Sequence, residues 1–172
     1  MKINFFVENS MTSSSKKRFG ICDKVSEKGD TSEPAYIDEN NGTDWIANVD
    51  NFHQDKILFY PVDNCVKFPN KTAKRCDGFL VSNTTIAFVE LKSRREQGYK
   101  WIADGEKQLR ASIAFFEQED RTMYTEKRAY VVNNMRPQSR VGQATRMERF
   151  FDETGYVLFI KAEICLYNKL KG

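Results

Sequence analysis

Apolar residues along the chain fall in short blocks separated by turn formers, and the clearest pair of blocks spans Cys76 to Lys92, CDGFLVSNTTIAFVELK. Phe79–Val81 and Ile86–Val89 flank a polar turn centred on Asn83-Thr84, a pattern that predicts a β-hairpin. A turn symmetric about that centre sets residues whose numbers sum to 167 opposite one another, so Asp77 faces Glu90. Strand alternation then assigns Asp77, Phe79, Val81, Ile86, Phe88, Glu90 and Lys92 to one face. Gly78, Leu80, Ala87, Val89 and Leu91 take the other. Both faces are apolar, which predicts a central strand pair covered on both sides.

The blocks before the hairpin are weaker. Residues 9–33 are polar and rich in serine and lysine, and predict a partly irregular N-terminal arm. In 43–51, an N-cap at Thr43 or Asp44 and a face of Trp45, Ile46 and Val49 predict a short helix. Lys56–Tyr60 reads as a strand ended or edged by Pro61, with Val62–Lys67 a further extended piece.

After the hairpin, Tyr99 to Glu119 reads as a helix with Ile102, Leu109, Ile113 and Phe116 on one stripe, interrupted by Glu106. Gly105 weakens the middle of that helix. Lys127–Asn133 is an apolar strand, and a right-handed crossover makes it parallel to the second hairpin strand. A second helix over 142–153 stops at Gly155, and Tyr156–Ile160 and Glu163–Leu166 close the pattern as strands. The expectation is a single domain over 1–172, an α/β fold whose mixed central sheet is flanked by helices.

Composition narrows the class. At 40% hydrophobic and 13% aromatic residues the chain can bury a substantial core. It has no run of 18 apolar residues, so no membrane span is expected, and the apolar run in MKINFFVENS is too short for a signal-peptide core. Cys22, Cys65, Cys76 and Cys165 are widely spaced with no CxxC pair. That argues against a zinc site or a disulfide framework and for reduced thiols in a cytoplasmic protein. His53 is the sole histidine, which disfavours histidine-dependent base chemistry. Charge is uneven: residues 1–66 carry 7 Lys and Arg against 11 Asp and Glu, residues 67–110 carry 10 against 5, and residues 111–172 carry 10 against 8. Positive charge therefore gathers around the hairpin, where it would steer a polyanion.

Two carboxylates and one ammonium on an apolar hairpin face need partners. A hard divalent cation with oxygen ligands would relieve the repulsion between Asp77 and Glu90. A salt bridge from Lys92 to one carboxylate, with the other turned to water, is the alternative.

Asp77, then Glu90-Leu91-Lys92 across a hairpin and before an amphipathic helix, resembles the active-site signature of the PD-(D/E)xK nuclease superfamily, the restriction-endonuclease-like fold. The likeness covers roughly residues 57–133, a nuclease-like core, and departs from the pattern at Cys76, where the motif has proline. The resemblance implies that Asp77, Glu90 and the Leu91 carbonyl bind Mg²⁺ or Mn²⁺. It implies that Lys92 assists attack on a phosphodiester, and that Gln108 on the following helix, or Lys107, contributes. It also implies a carboxylate on a first helix, for which Glu33, Asp38 and Glu39 are available. Lys74, Arg75, Arg94, Arg95, Arg136 and Arg140 are candidate nucleic-acid contacts, as are Arg146 and Arg149. Tyr99 and Trp101 could stack on a base or belong to the core. The function implied is a metal-dependent nuclease acting on nucleic acid, with DNA the favoured substrate and a homodimer one way to cut both strands. The alternatives are a nuclease-fold protein with weak or lost cleavage that binds nucleic acid, and a protein-binding protein in which the three residues form an ion pair.

Overall fold

The structure is a computed structural model that describes residues 2–23, 33–93, 98–119, 124–135 and 143–167. Strands β1 (Thr12–Ser14), β5 (Ile57–Pro61), β6 (Gly78–Ser82), β7 (Thr85–Lys92), β8 (Glu126–Asn133) and β9 (Val157–Ile160) form a six-stranded sheet in the order β1-β5-β6-β7-β8-β9. Strands β2 (Arg18–Cys22), β3 (Tyr36–Asp38), β4 (Ala47–Asp50) and β10 (Glu163–Cys165) form a second sheet in the order β10-β4-β2-β3. Helices α1 (Lys100–Glu119) and α2 (Ala144–Thr154) complete a mixed α/β fold with a mixed central sheet.

The hairpin has the predicted register. Gly78 pairs with Val89, Phe79 with Phe88 and Val81 with Ile86. All eight residues of β7 are buried, because each face of the sheet carries its own core. Phe79, Ile86 and Phe88 join the α1 stripe on one side, while Leu80, Ala87, Val89 and Leu91 pack against the second sheet. β8 runs parallel to β7 from Thr85↔Glu126 to Lys92↔Asn133, with α1 as the crossover. β6 is antiparallel to both β5 and β7. Gly105 has a packing reason: a Cβ there would lie 2.8 Å from Val131 Cγ1, so its absence lets α1 approach β8 closely. Gly155 caps α2 in the left-handed region, with φ of 78°.

The first third of the chain corrects the sequence reading. The expected irregular arm contains β1 and β2, while residues 24–32 lie outside the described set. The polar strand β1 is held by pairing with β5, from Thr12↔Phe59 to Ser14↔Ile57. The expected helix at 43–51 is a one-turn 3-10 segment, Gly42–Asp44, followed by strand β4. Ala47 and Val49 are buried while Asn48 and Asp50 are half-buried, a period of two rather than 3.6. Trp45 packs over Gly20, where a Cβ would collide with its ring, and it donates its indole N–H to Asp38. Val62–Lys67 turns rather than extends, with the Val66 N–H donating to the Val62 carbonyl at 2.9 Å. Among the described residues no α-helix precedes β5, so the first helix that the resemblance implies is not found there. No helix among them is long and apolar enough to cross a membrane.

Candidate active site

The main strand ladder between β6 and β7 stops at Gly78↔Val89, and side chains take over from there. Asp77 Oδ2 accepts the Leu91 N–H at 2.6 Å, and the Asp77 N–H donates to Glu90 Oε2 at 3.2 Å. The Asp77 carbonyl accepts the Val62 N–H at 2.9 Å, which ties the same residue to the end of β5. Gly78 allows this crowding, since a Cβ there would lie 2.4 Å from the Phe59 ring and 2.6 Å from the Tyr60 carbonyl oxygen. Two carboxylates far apart in the chain are thereby held at the same end of the hairpin.

Lys92 joins them from the same face of β7. Its Nζ lies 3.1 Å from Glu90 Oε1 and 2.6 Å from Gln108 Oε1. Gln108 Nε2 donates to the Arg75 carbonyl at 3.2 Å, so both ends of the amide are engaged and its orientation is fixed. One turn along α1, the fully buried Ser112 accepts the Cys76 N–H at 2.9 Å. The helix thus grips residues 75 and 76, immediately before Asp77. Ser112 escaped the sequence reading as a site element; its only signal was a hydroxyl on the buried side of a helix, one turn from Gln108.

The constellation is desolvated and sets two carboxyl groups against a single ammonium. Asp77 is 9%, Glu90 3% and Lys92 5% exposed. Burial pushes the Asp77 carboxyl well above the usual carboxylate range, Glu90 adds to the shift, and the Leu91 N–H opposes it. Burial also raises Glu90, to about 7, against the pull of the Lys92 ammonium. One ammonium does not keep both enclosed carboxyls ionised. Asp23 and Asp63 add negative potential and raise Asp77 further. Asp63 is carried close by its N–H, which donates to the Cys76 carbonyl at 3.2 Å. Neither belongs to any motif, so only the fold reveals their proximity.

Among the described residues, no group of three or more His, Cys, Asp or Glu side chains is disposed to hold a metal ion. The donor chemistry nevertheless suits Mg²⁺, which binds one or two carboxylates and completes its octahedron with water and substrate phosphate. Asp77 and Glu90 are oxygen donors whose mutual repulsion a dication would relieve. The Leu91 carbonyl, between Glu90 and Lys92, completes the set that the resemblance implies.

No protein family, curated protein or solved structure matches the chain.

The remaining sequence candidates divide. Arg94, Arg95, Arg136 and Arg140 lie outside the described residues. Lys74 and Lys107 are exposed. Arg75 is occupied by the protein: its guanidinium lies 4.7 Å from the Phe68 ring centroid and donates to the carbonyls of Val66, Lys71 and Ala73. Arg146 is paired with Glu106 on α1. Arg149 and Tyr99 are exposed, whereas Trp101 is a core residue at 3% exposure. Asp38 accepts the Asn41 N–H and Trp45 Nε1–H, and Glu39 pairs with Lys16 at 3.3 Å. The Glu33 carbonyl accepts from Asn64 Nδ2 at 3.4 Å. All four cysteines are free thiols.

Proposed function

We propose that this chain is a metal-dependent nuclease of the PD-(D/E)xK type that hydrolyses phosphodiester bonds, with DNA the favoured substrate and Mg²⁺ or Mn²⁺ the cofactor. The observation that carries the reading is the enclosure of Asp77, Glu90, Lys92 and Gln108 in one hydrogen-bonded group with two carboxylates to one ammonium. Support also comes from the strand order around it. β5, β6 and β7 are successively antiparallel, α1 crosses over, and β8 returns parallel to β7, the order of a restriction-endonuclease-like core. The lack of a described α-helix before β5 is a departure from that core.

A bound dication would polarise the phosphodiester and lower the pKa of a coordinated water. Asp77 and Glu90 would supply its oxygen ligands. Lys92, kept between Glu90 and Gln108, is positioned to donate to a phosphate oxygen as charge develops there. Gln108 keeps that ammonium from collapsing fully onto Glu90, because its own carbonyl oxygen competes for it. Water adds to phosphorus and the P–O bond to the leaving nucleotide breaks, with the proton passing to the departing oxygen.

A second reading, a nuclease-fold protein without turnover, draws on the bonds Asp77 and Glu90 already make to the Leu91 and Asp77 amides and to Lys92. A plasmid-nicking assay across Mg²⁺ and Mn²⁺ concentrations decides between them. Metal-dependent nicking that disappears in Asp77→Asn, Glu90→Gln and Lys92→Met is the expected result. Nicking by all three variants at the wild-type rate would overturn the assignment. A wild-type protein that nicks in no metal, yet is thermally stabilised by Mn²⁺, would establish the second reading.

A further inference from the structure

We propose that the loop between β5 and β6 is a phosphate-backbone contact element, presenting Lys67, Lys71 and Lys74 to a nucleic-acid strand entering the site, with Arg75 as its internal brace. This rests in part on the nuclease reading, but it can fail separately from it. Residues 64–75, NCVKFPNKTAKR, contain four basic side chains and no acidic one, although the preceding 63 residues of the chain are net acidic. Three of the four, Lys67, Lys71 and Lys74, are exposed. The fourth turns inward.

The inward arginine gives the loop its shape. Arg75 donates to the Val66 carbonyl through Nε at 3.4 Å and to the Ala73 carbonyl through Nη1 at 3.0 Å. A longer contact of 3.5 Å reaches the Lys71 carbonyl, and the guanidinium covers the Phe68 ring. Asn70 closes the tip, accepting the Thr72 N–H at 2.9 Å and the Thr72 hydroxyl at 2.7 Å. Phe68 in turn lies 4.7 Å from Phe115 of α1, centroid to centroid. The loop is therefore fixed to the helix that also supplies Gln108 and Ser112. A loop braced in this way loses little entropy when it meets a ligand.

Its position names the ligand. Lys74 stands three residues before Asp77, and the next carbonyl, that of Arg75, is the one Gln108 holds. The loop is thereby tied through Gln108 to Lys92, and the class of ligand that offers regularly spaced anions to both is a nucleic-acid backbone. Lysine suits the task, since an ammonium on a flexible stem meets phosphates without reading base sequence.

Fluorescence anisotropy of a labelled DNA duplex, in EDTA and over a series of salt concentrations, tests the proposal without requiring cleavage. The Lys67→Gln, Lys71→Gln, Lys74→Gln triple variant should bind more weakly, and its slope of log affinity against log salt should be shallower by about 2–3. An unchanged slope in the triple variant overturns the proposal, as does wild-type protein that binds poly-glutamate but not DNA. Binding with a lysine-dependent slope in a protein that never cleaves would sustain this inference while removing the nuclease reading.

Discussion

Two buried carboxylate groups in this protein teach different lessons. Glu106, in the middle of α1, is 4% exposed and faces two cations: Arg110 at 3.4 Å, one turn along the same helix, and Arg146 of α2. Arg110 also reaches Glu153 at 2.7 Å, and its guanidinium covers the Phe150 ring. The side chains of both arginines remain over a quarter exposed, so water shares the charge. Asp77 and Glu90 have the inverse arrangement. Two acids meet one enclosed ammonium, and the Lys92 and Glu90 side chains are only 6% and 4% exposed. The first group joins two helices with its charge satisfied. The second is left short of positive charge where burial makes that costly, which is why it is the candidate for binding a cation.

The largest test of that contrast is activity. Asp77→Asn or Glu90→Gln should lower metal-dependent cleavage by at least about a hundredfold. Glu106→Gln should leave the cleavage rate of the folded protein unchanged. Equal losses at both sites, measured as single-turnover rates on one duplex, would erase the distinction.

Metal-free stability should move the opposite way. Glu106→Gln withdraws the charge that two arginines face and should cost about 1–3 kcal/mol in urea unfolding. Glu90→Gln relieves repulsion between enclosed acids, so at pH 8 the melting temperature of the metal-free protein should hold or rise. A fall as large as that of Glu106→Gln would mean that Glu90 is an ordinary ion-pair partner.

The pH dependence sharpens the same point. Glu90 is raised to about 7 from an ordinary 4.5, so the folded chain binds its proton more tightly than the unfolded chain. Its contribution to stability is complete below the ordinary value and is lost as pH rises through about 7. Metal-free protein should therefore melt at a lower temperature at pH 8 than at pH 6, and Glu90→Gln should flatten the difference. Saturating Mn²⁺ should reverse the trend, because the dication takes the proton's place.

The smallest expected effects concern packing around each group. Ser112→Ala leaves the buried Cys76 N–H without its acceptor and should cost about 1–2 kcal/mol. Gly105→Ala gains helix propensity but places a methyl 2.8 Å from Val131, so it should destabilise rather than stabilise, by about 1 kcal/mol. Thermal melts of both variants check these values.

Local pattern alone determined the hairpin, its register, the α1 crossover and the meeting of Asp77, Glu90 and Lys92, because alternation and a two-residue turn are short-range rules. Gln108 entered only through the family resemblance, and the structure places its amide on Lys92. The same rules failed before residue 57. Strands β1, β2 and β4 are held by partners remote in sequence, such as Thr12↔Phe59 and Arg18↔Asp50, and the alternation in β4 runs over only four residues. Tertiary structure also decided which charges are available. Arg75 looks like a surface contact in sequence, yet three carbonyls and a ring consume it. Glu106 looks like a gap in a stripe, yet it is the buried centre of a helix–helix ion pair. Burial and charge balance depend on everything packed around a group, and no window of neighbouring residues contains that information.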